Sequence, residues 1–183
     1  MKALRSSTRS AGLTLIELLI VLGIIAFMSF MAVPSLMDTL NRMRVNSAAR
    51  LISSALSLAR SEAVKRGRNV SICPSTSGTD CAAGAWADGW IVFVDTNGDA
   101  NGASGSVDAG DEVLRVFTAL GALELESSPA TNLLTYDNKG YGRMSSALTF
   151  TLCPVDGNAS NARQVQISLS GRSRIVTQGV ACS

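Results

Sequence analysis

Leu13 to Val33 form a near-continuous apolar run broken only by Thr14, Glu17, Gly23 and Ser29, and this run constrains the chain more than any other feature. As a helix rising about 1.5 Å per residue it would span roughly 30 Å, the hydrocarbon thickness of a bilayer. Lys2, Arg5 and Arg9 precede it, which predicts a cytoplasmic N-terminus and export of the chain beyond the run. An ordinary secretory signal ends in a small-residue cleavage site after its apolar stretch. Phe30-Met31-Ala32-Val33-Pro34 fits that pattern poorly, so the run is expected to stay attached. Glu17 is the anomaly. An acid inside a membrane span costs on the order of a few kcal/mol and requires a partner, unless it sits at the headgroup edge.

The surroundings of Glu17 favour a partner. Gly12-Leu13-Thr14-Leu15-Ile16-Glu17 resembles the signature cut by prepilin peptidases, in which cleavage after Gly exposes an amine five positions before a Glu. The resemblance implies processing between Gly12 and Leu13, with Glu17 as fifth residue of the mature chain. It also implies pairing of Glu17 with the N-terminal amine of a neighbouring subunit during assembly, and methylation of that amine. The family usually has Phe first, so Leu13 is a departure. A buried pair of this kind fixes register more than it stabilises. Pro34 would be mature residue 22, where these helices commonly carry proline; it frees the Phe30 carbonyl and should kink or loosen the helix. Loss of residues 1–12 removes three of the 16 bases and leaves 13 against 14 acids, so the basic balance belongs to the leader.

Beyond Pro34, Leu36, Leu40, Met43, Ala48, Leu51, Ala55 and Leu58 recur at a mean spacing near 3.6, which predicts an amphipathic helix with these residues buried. Gly67 is its expected C-cap, with late bases suited to the dipole. After Gly67 the pattern shortens into seven or so strands: Asn69–Cys73, Trp90–Asp95, Glu112–Phe117, Leu133–Tyr136, Ala147–Cys153, Gln164–Ser170 and Arg174–Thr177. Ser170-Gly171-Arg172-Ser173 is the turn into the last. The expected fold class is α+β, a long N-terminal helix packed against an antiparallel sheet head. Its expected divisions are a leader over 1–12, a membrane or filament helix over 13–35, an amphipathic helix over 36–67 and a β-rich head over 68–183.

With 183 residues, the chain holds one globular domain and an extended element. Four cysteines, Cys73, Cys81, Cys153 and Cys182, stand without a CxxC pair and without any histidine, which disfavours zinc frameworks and makes disulfides the expected state after export. Three pairings are open; Cys73–Cys81 with Cys153–Cys182 is preferred because each closes a local loop. Asp95, Asn97 and Asp99 offer alternating oxygen ligands for calcium, but Ala100 and Ser106 stand where an EF-hand has Gly and Glu, and such clusters usually form turns. The bases from Arg42 to Arg68 could form a DNA or lipid surface, but they alternate with apolar positions and read rather as a solvated or inter-subunit face. No nucleophile–base motif supports catalysis, so the chain is not read as an enzyme and needs no cofactor.

Further blocks sharpen the family. Ala59-Arg60-Ser61-Glu62-Ala63 with Arg66-Gly67, then Gly89-Trp90-Ile91-Val92-Phe93-Val94-Asp95, then Asp111-Glu112-Val113-Leu114-Arg115, resemble the GspH/FimT group of minor pilins and pseudopilins, nearest its FimT-type, FimU-like minor pilins. The resemblance implies a low-abundance subunit that primes or caps a filament among other major and minor pilins, held in the inner membrane before assembly and later placed at or near the pilus tip. Gly171-Arg172-Ser173-Arg174 matches a G-R-x-R pattern associated with FimT-type pilins that bind DNA in natural transformation. A glycine turn can project two guanidinium forks at phosphates of duplex DNA without sequence specificity, with Lys139, Arg143 and Arg163 as support. The alternative for these residues is a hairpin turn with two solvated arginines, or arginines bonding to neighbouring pilins. The alternative function is a minor pseudopilin of a type II secretion system; a third reading, a signal-anchored periplasmic binding protein, is disfavoured by Gly12 to Glu17.

Overall fold

The computed structural model describes residues 14–82, 84–97 and 107–182, residues 30–35 by backbone alone. Gly12, Leu13 and Asp99 lie outside the described residues. The chain divides into two compact units, Met1–Thr39 and Leu40–Ser183.

Helix α1 (Leu15–Arg66) begins in the first unit. Thr14 caps it, accepting the Glu17 N–H on Oγ1 at 3.3 Å and the Leu18 N–H on its carbonyl at 3.2 Å. Thr14-Leu15-Ile16-Glu17 thus has the spacing of a capping box, and the Thr14 half of it forms. Leu15 to Met28 expose their large apolar side chains, and Glu17 is exposed among them. Among the described residues no helix is long and apolar enough to cross a membrane. The span expected over 13–35 falls partly outside them, since it includes Leu13 and the side chains of 30–35.

In the second unit α1 buries Val45, Ala48, Ala49, Ile52, Ala55, Leu56, Ala59 and Ala63. This corrects the expected stripe: Leu36, Leu40, Met43 and Leu51 are exposed, Leu58 is half-buried, and only Ala48 and Ala55 belong to the core. Alanines face the sheets because bulky Trp90, Tyr136 and Phe150 already fill the space between. The helix ends as expected. Gly67 takes φ +67°, and the Arg68 N–H reaches the Ala63 carbonyl at 3.3 Å, closing a Schellman-type cap.

Among the described residues eight strands build the head: β1 (Asn69–Pro74), β2 (Gly89–Asp95), β3 (Glu112–Thr118), β4 (Leu123–Ser128), β5 (Leu134–Tyr136), β6 (Leu148–Pro154), β7 (Arg163–Ile167) and β8 (Ser173–Val176). They form two antiparallel sheets, ordered β3-β2-β1-β5 and β4-β6-β7-β8. Seven strands lie near their expected positions. β4 is the addition: Leu123 and Leu125 are buried and Glu124 and Glu126 exposed, a period-two pattern hidden by two residue types that favour helices.

The inner faces of both sheets close one core with α1. Part of each outer face is then covered by a disulfide-clamped segment. Cys73–Cys81 holds a loop over Ile91 and Phe93, and Cys153–Cys182 holds the C-terminal segment over Ala162. The local pairing is therefore the one that forms. It also explains why β2 reads as an unbroken apolar run: both of its faces are covered.

Candidate nucleic-acid interface

The residues of the G-R-x-R motif form the β7–β8 hairpin. β7 stops at Ile167, earlier than the strand expected to Ser170, and Ile167 pairs with Ser173. The Ser168 N–H donates to the Arg172 carbonyl at 3.0 Å and the Gly171 N–H to the Ser168 carbonyl at 2.8 Å, leaving a three-residue loop with Gly171 at φ +75°. Two constraints demand glycine there. A Cβ at this position would lie 2.3 Å from the Gly140 carbonyl oxygen and 2.9 Å from Tyr136 Cε1. The hairpin is pressed against the turn Asp137–Gly142, and the Gly142 N–H donates to the Leu169 carbonyl at 3.3 Å.

Arg172 and Arg174 are both exposed and line one recess with Ala147, Gln166 and Ser168. They share a side because Arg172 faces the end of the loop and Arg174 stands two residues on along β8. Arg174 donates Nε and Nη2 to Gln166 Oε1 at 3.0 and 2.7 Å. Lys139 and Arg143 are exposed on the segment that abuts the hairpin. Sequence reasoning did not single out Gln166, although the alternation of Gln164, Gln166 and Ser168 with buried Val165 and Ile167 already put it on the outer face.

Arg163 does not join this surface. It is buried at 9 % exposure, with Nε on Asn46 Oδ1 at 2.9 Å and Nη1 on the Ala162 carbonyl at 2.7 Å. Opening β7 where its side chain turns inward, it fastens the sheet to α1, so its charge serves packing rather than a partner. Several helix bases are likewise engaged within the chain: Arg42 with Asn161, Arg60 with the Gly140 carbonyl, and Arg66 with Glu62 and Glu112.

Around the calcium candidate, Asp111 organises the turn, accepting the Thr96 N–H at 2.9 Å and the Asp108 N–H at 3.1 Å. Asp95 is buried and Asn97 exposed, and Asp99 is not described. Among the described residues no group of three or more acidic, Cys or His side chains is placed to hold a metal.

A single N-terminal helix bearing antiparallel sheets stapled by disulfides is the architecture of the type IV pilin class. Residues 48–171 match the family model described as type II transport protein GspH. The pilin-like protein PilA1 of Thermus thermophilus is 34 % identical over 170 residues, covering 90 % of this chain and 97 % of that one. The type IV minor pilin FimU of Pseudomonas aeruginosa superposes with a TM-score of 0.60 at 27 % identity, covering 78 % of this chain and 95 % of that one. The minor pseudopilin EpsH of the Vibrio cholerae type 2 secretion system shares the fold at 16 % identity, with a TM-score of 0.52 over 74 % of this chain and 98 % of that one. The chain belongs to the GspH family and is a minor pilin or pseudopilin.

The blocks that carried the family resemblance are joints of the fold. Ala59 and Ala63 face the core, Trp90 stacks on Phe117 at 5.1 Å, and Arg66 ties the end of α1 to Glu112 of β3.

Proposed function

We propose that the chain is a minor pilin of a type IV pilus, priming or capping the filament, and that it contacts the backbone of double-stranded DNA through Arg172 and Arg174 during uptake. The observation that carries the DNA reading is the exposed arginine pair on one side of a hairpin whose glycine tolerates no side chain. Guanidinium forks pair with phosphate oxygens whatever the sequence, and Lys139 and Arg143 extend the positive charge onto the adjoining turn. Arg163 has no part in it. Likeness to FimU at 27 % identity favours the pilus over the alternative, a GspH-like pseudopilin acting in protein export, which keeps the same fold.

In this reading prepilin peptidase cuts after Gly12 and Leu13 becomes the N-terminus, open to methylation. The apolar helix holds the chain in the inner membrane with its head in the periplasm, and Glu17 meets the amine of a neighbouring pilin on entry into the filament, at or near the tip. The protein acts by assembly and binding and not as an enzyme.

DNA binding by the full chain in neutral detergent, across a salt titration, tests the reading beside Arg172→Ala/Arg174→Ala. The double variant is expected to lose most of its affinity, and its log K against log salt slope should shrink by about 2, one per phosphate contact given up. Equal affinity and slope for both proteins would reduce the motif to a turn and leave an assembly subunit. Export-defective cells with intact pili would instead favour the pseudopilin.

A further inference from the structure

Arg172 and Arg174 share a motif but not a setting. Arg172, at the end of the loop, uses its backbone carbonyl to hold the turn, accepting from Ser168. Arg174 has its guanidinium held along one edge, with Nε and Nη2 both donating to the single acceptor Gln166 Oε1. The contact is built into the sheet. Gln166 stands directly opposite Arg174 in the β7–β8 register and opposite Thr149 in the β6–β7 register, and it is half-buried where Arg174 is exposed.

We infer that Gln166 is a positioning residue for Arg174, holding one edge of its guanidinium so that the opposite edge meets a phosphate oxygen. The inference rests on DNA contact by the arginine pair. Of five guanidinium N–H donors, two are taken by Gln166, and the two on Nη1 with one on Nη2 remain for a ligand. An amide suits the task better than a carboxylate. It accepts the fork without cancelling the charge, so the full positive field stays available to the phosphate. It also fixes a long side chain before binding, so less rotamer freedom is lost on contact. Arg172 then supplies an adaptable contact and Arg174 an oriented one.

Two measurements on the full chain in neutral detergent test this. The first needs no DNA: the Nε–H resonance of Arg174, assigned by its loss in Arg174→Lys, should exchange with water faster in Gln166→Leu while that of Arg172 stays put. An unchanged Arg174 signal overturns the positioning role. The second is a double-mutant cycle on a random-sequence duplex. Gln166→Leu should weaken binding roughly 2- to 12-fold, the range for ordering one long side chain, with the salt slope kept. The same substitution in an Arg174→Ala background should cost nothing more, and an equal loss in both backgrounds would mark Gln166 as merely structural and overturn the inference. Gln166→Glu should lower the salt slope by about 1, since its carboxylate takes the place of a phosphate. A wild-type chain that ignores DNA overturns the DNA reading together with the purpose given to the pair. Retained DNA binding with no coupling overturns the positioning alone.

Discussion

A methyl group at position 171 would meet the Gly140 carbonyl oxygen at 2.3 Å on a backbone already at φ +75°, whereas at Gly121, with φ +73°, it would meet nothing within 4 Å. Gly121→Ala isolates the left-handed backbone term, about 1 kcal/mol. Gly171→Ala adds the clash and should lose at least about 2 kcal/mol in chemical denaturation, with the hairpin displaced from the 137–142 turn. Equal losses at the two sites would show that the close approach costs nothing. Tyr136 supplies a second residue-scale test. It is fully buried, its hydroxyl has no hydrogen-bond partner among the described residues, and burial pushes its phenol well above the ordinary value, with the Arg60 charge opposing. A raised folded-state value means the unfolded chain loses its proton first, so this contribution is intact below about pH 10 and falls as pH rises beyond it. Denaturant titrations at pH 8 and above pH 10 should show that decline in the wild type and a flatter profile in Tyr136→Phe, which also removes an unpaired polar group.

At the scale of elements, the two disulfides act on different segments. Cys73–Cys81 spans 8 residues and Cys153–Cys182 spans 29. On loop-closure entropy alone their removal as Ser pairs should cost roughly 2.5 and roughly 3.5 kcal/mol respectively, the longer loop being dearer. Thermal melts of the two double variants check the order, and free-thiol labelling of the folded wild type should find none, as all four cysteines are bridged. Strand positions were largely legible because turns and period-two runs are local. β4 was not, since Leu123-Glu124-Leu125-Glu126 has strand spacing written in helix-forming residues. The helix itself was legible and its buried face only in part, at Ala48 and Ala55. Periodicity also drew in Leu36, Leu40, Met43 and Leu51, which are exposed, while the core took Val45, Ile52 and Leu56 with alanines that let α1 approach the aromatic residues of the sheets.

At the scale of the whole molecule, Glu17 is exposed on the apolar stretch of α1, in the unit apart from the head, and the role proposed for it is assembly rather than folding of the head. Glu17→Ala should leave membrane insertion and head stability unchanged while depleting the protein from sheared pili; normal incorporation would remove the assembly role proposed for that carboxylate. The family, the helix with its glycine stop and the α+β class were readable from the chain alone, because each depends on spacing between near neighbours; the disulfide pairing was only a preference among three until the fold brought Cys153 to Cys182, 29 residues apart. Which arginines face outward was settled by packing across the fold. Arg172 and Arg174 stay at the surface, whereas Arg163 turns inward to Asn46, 117 residues away. It likewise set Gln166 against Arg174 across a strand pair and Gly171 against Gly140. Those contacts join distant or cross-strand positions, and their partners are chosen by register and packing, which no local run of residues encodes.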